Sequence, residues 1–282
     1  MQVEALPSAV RNVVYRHRCS GRRIGLVPTM GALHVGHVSL MAAARRDCDF
    51  VIATIFVNPL QFGPTEDFER YPRSLEKDLQ KCEAAGVDLV FTPETSQMYA
   101  SDAESEVRLT GLTRKLEGRH RPGHFDGVTT VVAKLFNITV PNRAYFGQKD
   151  YQQQLIIRRM VSDLDWGLDI VTCPIVREDD GLAMSSRNRF LSPAERERSL
   201  ILFRALSRAQ DLAHSDAETP ASIAQHLQQQ ISDTDGVDLD YAVVVDCETL
   251  EPLTDRPERA VALIAARLGK TRLIDNQILR FR

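Results

Sequence analysis

Pro28-Thr29-Met30-Gly31-Ala32-Leu33-His34-Val35-Gly36-His37 lies between an apolar run, Ile24 to Thr29, and a stretch from Gly36 to Asp47. The run reads as a short buried strand and the stretch as a helix, joined by a glycine-containing turn. In an open parallel sheet, nucleotides bind where a strand turns into a helix. A helix start offers unpaired N–H groups and a partial positive charge to phosphate. Gly31 and Gly36 let a ligand approach the backbone. His34 and His37, three apart, can share one side of the first turn, from which both rings can donate to an α-phosphate as charge builds during adenylyl transfer. Two ordinary polar residues at a helix start would read the same way. A zinc pair is disfavoured, because no HExxH occurs and no cysteine stands nearby.

The rest of the first half repeats the pattern. Phe50 to Val57 is an apolar run of strand length, and a helix is expected from about Arg73 to Ala85, with Gly86 as its C-terminal cap. Val87 to Phe91 reads as a strand, Val128 to Ile138 as a helix, Arg143 to Phe146 as a strand, Tyr151 to Leu164 as a helix and Leu168 to Cys173 as a strand. Apolar strands alternating with helices predict a parallel sheet covered on both faces. The character changes between residues 174 and 183, which divides the chain into 1–176 and 177–282. In the second part Ser192-Pro193-Ala194-Glu195 opens a helix running to about His214, and Thr219-Pro220 opens another. Leu239 to Val245 and Ala260 to Ala266 read as strands, giving a smaller α+β domain.

With 282 residues, one large and one smaller domain is the natural division. The net charge of −3 provides no basic field for nucleic acid. No apolar stretch reaches membrane-spanning length, and the N-terminus has no signal-like core, so a cytoplasmic protein with no membrane partner is expected. Cys19, Cys48, Cys82, Cys173 and Cys247 are scattered without a CxxC pair, which suits reduced thiols.

Three further segments carry polar groups suited to this chemistry. Gly181-Leu182-Ala183-Met184-Ser185-Ser186-Arg187-Asn188 puts two hydroxyls and a guanidinium in a loop near the division, a clamp for β- and γ-phosphates. By itself it reads equally as a polar loop before a helix. Phe146-Gly147-Gln148-Lys149-Asp150-Tyr151-Gln152-Gln153 again ends a strand in glycine and begins a helix. There Lys149 suits phosphate, Asp150 suits either an N-cap or a ribose hydroxyl, and Gln153 faces the same pocket. Phe56-Val57-Asn58-Pro59-Leu60-Gln61 follows a strand, and Gln61 offers an uncharged donor and acceptor. Leu268-Gly269-Lys270-Thr271 resembles the end of a Walker A loop, but Ile264 stands where its first glycine belongs. No GxGxxG occurs. Asp179 and Asp180 are read as shaping the turn before the serine loop.

VPTMGALHVGH, TIFVNPLQFGPTEDFERYPR, GRHRPGHFDGVTTVVAKLFN, YFGQKDYQQ, REDDGLAMSSRNRFLSP and LGKTRLIDN, in this order and over nearly the whole chain, resemble the pantothenate synthetase (pantoate–β-alanine ligase) family. The resemblance implies a Rossmann-like HxGH nucleotidyltransferase domain, doubly wound around a parallel sheet, with a small α+β C-terminal lid, in a homodimer that uses Mg²⁺. It implies that pantoate is activated by ATP as an acyl-adenylate with loss of pyrophosphate, and that β-alanine then displaces AMP. It assigns ATP binding to Met30, Gly31, Ala32, Leu33, His34, Val35, Gly36 and His37, with His37 catalytic and His34 its partner. Gly147, Gln148, Lys149, Asp150, Val176, Met184, Ser185, Ser186 and Arg187 complete the ATP site, and Lys149, Ser185, Ser186 and Arg187 join the catalytic set. Gln61 and Gln153 hold pantoate, Gln61 also standing near β-alanine. Arg121 and His124 line the substrate site, and Asp78 contacts magnesium. Gln148 and Val35 depart from commoner family residues without removing a group the chemistry needs. Another nucleotidyltransferase of the HxGH class would stop at nucleotide transfer. A class I aminoacyl-tRNA synthetase would need a tRNA-binding extension and a Lys-rich serine loop, and a nucleotide-binding regulator would not need His34, His37, Lys149 and Arg187 together.

Overall fold

Parallel strands buried on both faces must be apolar throughout, and the runs Ile24–Val27, Phe50–Thr54 and Leu89–Phe91 are buried at every position. A computed structural model describes residues 1–64 and 66–281; Thr65, inside the second family-like segment, lies outside the described residues. Two compact units emerge, Met1–Gln148 with Gln152–Pro174, and Lys149–Tyr151 with Ile175–Arg282. The second unit thus takes in Val176 and the short segment Lys149–Tyr151, both of which the sequence division leaves in the first.

In chain order the first unit contains β1 (Gln2–Glu4), α1 (Pro7–Cys19), β2 (Ile24–Val27), α2 (Val35–Asp47), β3 (Phe50–Thr54), α3 (Leu75–Ala84), β4 (Leu89–Phe91), α4 (Thr95–Met98), α5 (Glu117–His120), α6 (His124–Thr139), β5 (Arg143–Gly147), α7 (Tyr151–Asp163) and β6 (Asp169–Cys173). Among the described residues the strands form one parallel sheet in the order β1-β4-β3-β2-β5-β6. The order reverses direction between β2 and β5. That is a topological switch point, where a crevice opens at the carboxyl ends of the strands. Side-chain alternation divides the core. Leu26, Ile52, Leu89, Phe91 and Phe146 pack toward α1, α6 and α7, while Val27, Val51, Ala53, Val90 and Tyr145 pack toward α2 and α3.

β1, α1 and the one-turn helices α4 and α5 escape the sequence reading. β1 has only three residues, of which Gln2 and Val3 are exposed. α1 buries Val10, Val13 and Val14 behind Pro7 at its first turn, but its flanks are rich in arginine.

The second unit adds α8 (Pro193–Arg198), α9 (Leu200–Ala213), α10 (Pro220–Ser232), β7 (Val237–Val245), β8 (Arg259–Leu268) and β9 (Thr271–Arg280). The strands form an antiparallel sheet, β7-β8-β9, against which α9 and α10 bury Leu202, Leu206, Ile223 and Leu227. Ser192 and Glu195 make the expected capping box, as do Thr219 and Ser222. The single helix expected from Ser192 to His214 is interrupted at Ser199, whose buried hydroxyl donates back to the Arg196 carbonyl at 2.6 Å. Gly269-Lys270 is a two-residue hairpin turn between Leu268 and Thr271, with Gly269 at φ 57°, so the Walker-like tripeptide turns a hairpin.

β9 is not apparent in the sequence, because the buried Asp275 and Asn276 interrupt its alternation. Asp275 takes both Arg177 nitrogens, at 2.7 and 3.0 Å, and Arg177 also lies over the Phe203 ring and donates to the Gly181 carbonyl. This buried pair ties the start of the serine loop to the sheet. Asp275→Ala should therefore lower the unfolding free energy by about 3 kcal/mol, the usual cost of stranding one member of a buried pair. Urea unfolding would measure it, and a loss near zero would rule the anchor out.

Candidate active site

The turn between β2 and α2 is built first on threonines. The Thr29 hydroxyl donates to the Thr54 carbonyl at 2.5 Å and accepts from the Gly31 amide at 3.1 Å, joining the ends of β2 and β3. Gly31 (φ +79°) and Ala32 (φ 49°) are both left-handed. For alanine this costs on the order of 1–2 kcal/mol, so neighbours must hold it. Asp78, on α3 and 1% exposed, accepts from the amides of Ala32 and Leu33, each at 2.8 Å.

His34 caps α2. Its Nδ1 accepts from the Gly36 amide at 3.1 Å, and Nδ1 of His37 accepts from the His34 amide at 3.2 Å. This is a reciprocal capping box built from imidazoles where serine and glutamate usually serve. A neutral imidazole that accepts at Nδ1 carries its proton at Nε2. The backbone therefore sets both rings as Nε2–H donors, with centroids 4.1 Å apart. The two histidines are legible in the sequence; the tautomer follows only from the cap.

Gln61 ends a 3-10 turn, Pro59–Gln61, that follows β3. Its side chain is 8% exposed, accepts from Asn58 Nδ2 at 3.2 Å and donates to Met30 Sδ at 3.0 Å. Asn58 also donates to the Gly127 carbonyl and accepts from Tyr99 Oη at 2.8 Å, so it fixes Gln61 in orientation. Sequence reasoning gives Asn58 no role. The available signal is an Asn-Pro pair at a helix start, and Asn58 is indeed the cap of that turn. A Cβ on Gly127 would lie 2.3 Å from the Leu60 carbonyl oxygen, so α6 reaches the turn only because residue 127 is glycine.

Arg121 and His124 stand behind Gln61 and hold its backbone. His124 Nδ1 is 2.8 Å from the Gln61 carbonyl, and Nε2 is 3.0 Å from Arg121 Nη1. A carbonyl only accepts and a guanidinium only donates, so His124 is neutral with its proton on Nδ1. Arg121 completes the row with a two-pronged pair to Glu66 at 2.7 and 2.6 Å. Burial first, then the Arg121 charge, lowers the His124 pKa from 6.5 to about 4.

Gln153 is half-buried on α7 between two glutamines with structural duties. Gln152 bonds to Leu112, Lys115 and Glu117 backbone atoms, and Gln154 accepts from Thr172. Gly147 closes β5 beside β2, at the switch point. In the second unit Lys149 has its carbonyl held by Asn276 Nδ2 at 2.9 Å. The amide of Met184 donates to the carbonyl of Val176 at 2.9 Å, bringing these two expected ATP contacts together. Ser185 caps a 3-10 turn, Ser186–Phe190, accepting from the Arg187 amide. Asp180 pairs with Arg196 and accepts from the Leu182 amide, shaping the turn as expected. Both oxygens of Asp78, the expected magnesium contact, are already engaged by backbone amides, and among the described residues no three His, Cys, Asp or Glu side chains gather as a metal site. A cavity of about 450 Å³ adjoins Met30, Gly31 and Asp78, with Phe56, Phe68 and Arg73 in its walls.

A doubly wound sheet with this turn at its switch point defines a nucleotide-binding α/β protein. A family model described as Pantoate-beta-alanine ligase matches residues 2–278. A pantothenate synthetase of Moorella thermoacetica is 51% identical over 272 residues, 96% of each chain, and one of Acetivibrio thermocellus is 48% identical over 279 residues, 99% of each. The crystal structure of pantothenate synthetase from Thermus thermophilus superposes with a TM-score of 0.93 at 45% identity, over 98% of this chain and 99% of that one. A pantoate–β-alanine ligase from Francisella tularensis, described as complexed with β,γ-ATP and β-alanine, gives a TM-score of 0.81 at 33% identity over 99% and 97%. The chain belongs to the pantoate–β-alanine ligase family, and is an ATP-dependent ligase that condenses pantoate with β-alanine.

The depressed pKa of His124 makes stability depend on pH. Above the unfolded value of 6.5 the ring is neutral in folded and unfolded chains alike, so it adds no pH dependence there. Below that value the unfolded chain takes a proton that the folded chain refuses until about pH 4. Unfolding free energy should fall across this window by on the order of 3 kcal/mol. His124→Gln should flatten that part of the profile, measured by urea unfolding at a series of pH values. An unchanged slope in the variant would show that another group titrates.

Proposed function

We propose that the histidine turn performs the adenylation. A carboxylate oxygen of pantoate attacks the α-phosphorus of ATP and pyrophosphate leaves, forming pantoyl adenylate. The amine of β-alanine then attacks the acyl carbon and AMP leaves. The observation that carries this reading is the imidazole capping box, which presets two Nε2–H donors at a helix N-terminus on the switch point. Such donors gain strength as negative charge builds on the α-phosphate, and they need no reorganisation to do so.

The remaining roles are those the family resemblance implies, and the chemistry of the residues suits them. Gln61 and Gln153 hold pantoate through amide groups that match hydroxyl and carboxylate alike. The thioether that Gln61 now faces is a weak acceptor, readily exchanged for a substrate oxygen. Arg121 and His124 act through Gln61. Lys149, Ser185, Ser186 and Arg187 bind the departing phosphates, while Gly147, Gln148, Asp150, Val176 and Met184 hold the nucleoside. Mg²⁺ arrives with ATP, held chiefly by phosphate oxygens, as this ion commonly is. The enzyme works as a cytoplasmic homodimer, the compartment being consistent with its five free thiols.

Incubation with ATP, pantoate and β-alanine should give AMP and pyrophosphate, and ¹⁸O in the pantoate carboxylate should appear in AMP. Label in inorganic phosphate, with ADP as coproduct, would refute the adenylate route. His37→Ala should lower turnover about 10²–10⁴-fold in a folded protein. Ser186→Ala and Arg187→Ala should slow adenylation more than the amine step, so that preformed pantoyl adenylate partly restores product formation. Normal adenylation in these variants would exclude the phosphate role.

A further inference from the structure

Asp78 is buried at the one place where the backbone between β2 and α2 is most constrained. Ala32 is left-handed without being glycine, and its amide is one of the two that Asp78 receives. The other belongs to Leu33, whose carbonyl accepts from Nζ of Lys81, one helical turn along α3 from Asp78. Both backbone polar groups of Leu33 are therefore fixed by α3, and the next residue is His34, the cap of α2. Space is equally tight, since a Cβ on Gly31 would lie 3.1 Å from Oδ2 of Asp78 and 3.0 Å from Cγ2 of Ile55. Ser74 also donates to Oδ2, at 3.4 Å.

These surroundings are wrong for a cation. Three hydrogen-bond donors converge on the carboxylate and an ammonium lies against the same turn, whereas Mg²⁺ demands oxygen ligands in a near-octahedral shell. The lysine charge would repel the ion.

We infer that Asp78, together with Lys81, is a positioning residue for adenylation and does not ligate magnesium. It sets the turn that delivers His34 and His37 in register, and this rests on the reading of that turn as the adenylation site. Asp78→Asn keeps the shape and one acceptor but turns an N–H group toward the second amide. At saturating substrates and Mg²⁺, its kcat for AMP formation should fall about 10–100-fold, the usual scale for a small misplacement of reacting groups. The Mg²⁺ concentration for half-activation should stay within about 2-fold, because the ion is carried by phosphates. Lys81→Met should lower kcat less, again without moving the Mg²⁺ dependence, and it tests the same clamp should the Asn variant fold poorly.

A second readout does not depend on turnover. In ¹⁵N spectra of the intact chain at alkaline pH, His34 and His37 should show the Nε2–H tautomer, and the Asp78 and Lys81 variants should show mixed tautomers as the capping box loosens. If the native protein makes no AMP, the proposed reaction fails while the ring spectra still judge the clamp. The clamp is overturned if extra Mg²⁺ restores Asp78→Asn with a half-activation concentration raised about 10-fold or more. It is overturned equally if kcat and both ring spectra match those of the native protein.

Discussion

The first N–H groups of α2 have no carbonyl a turn below to bond, and two histidines are arranged around that deficit. Most helices fill it with a hydroxyl or a carboxylate. Here two imidazoles fill it, each with one nitrogen, and the bond that stabilises the helix start also determines where each ring carries its proton. Under the proposed function, a structural need and a catalytic one are met by the same two hydrogen bonds. Aspartate in place of His34 would still cap the helix but would offer no donor. The capping arrangement alone therefore does not explain why histidine stands there.

Each functional segment of the first unit follows the carboxyl end of a strand: the histidine turn follows β2, the Asn58–Gln61 turn follows β3, and Gly147 closes β5. The sheet order makes these ends neighbours. The strands themselves need only apolar side chains, and they hold in place irregular segments that could not hold themselves. Side chains buried behind the segments complete the support. Asp78 grips the first turn, and Asn58 and His124 grip the second, one through the side chain of Gln61 and the other through its backbone. Each has its hydrogen-bonding capacity matched by named partners, which is what makes burying such groups tolerable.

This division explains what can be read from the sequence. The continuous apolar runs of β2, β3 and β4 are too short for helices and are bounded by turn residues, so they read as covered strands, and the signals at Ser192-Pro193 and Thr219-Pro220 are local chemistry. β9 is hidden because Asp275 and Asn276 are placed inside for the sake of residues far along the chain, Arg177 and Lys149. α1 is hidden by the arginines around a narrow valine stripe. Among the proposed site residues, His34 and His37 stand out through their neighbours in sequence, whereas Gln61 stands out only through the family resemblance. Asn58 does not, since its partners Gly127 and Tyr99 meet it only after folding.

The same logic separates side chains by how much of their hydrogen-bonding capacity the fold already uses. Arg121 commits two nitrogens to Glu66 and another to His124, and His124 commits both ring nitrogens to Arg121 and Gln61. His124 therefore cannot take a substrate without breaking a bond made in low dielectric, where each is costly to lose, whereas Arg121 keeps two of its five N–H donors beyond these three bonds. Gln61 differs, because its amide donor faces a thioether. An amide donor satisfied by sulfur gains when an oxygen replaces it. Under the proposed function, the weakest bond in the network marks the atom that would meet the ligand, and the stronger bonds behind it keep that atom in place.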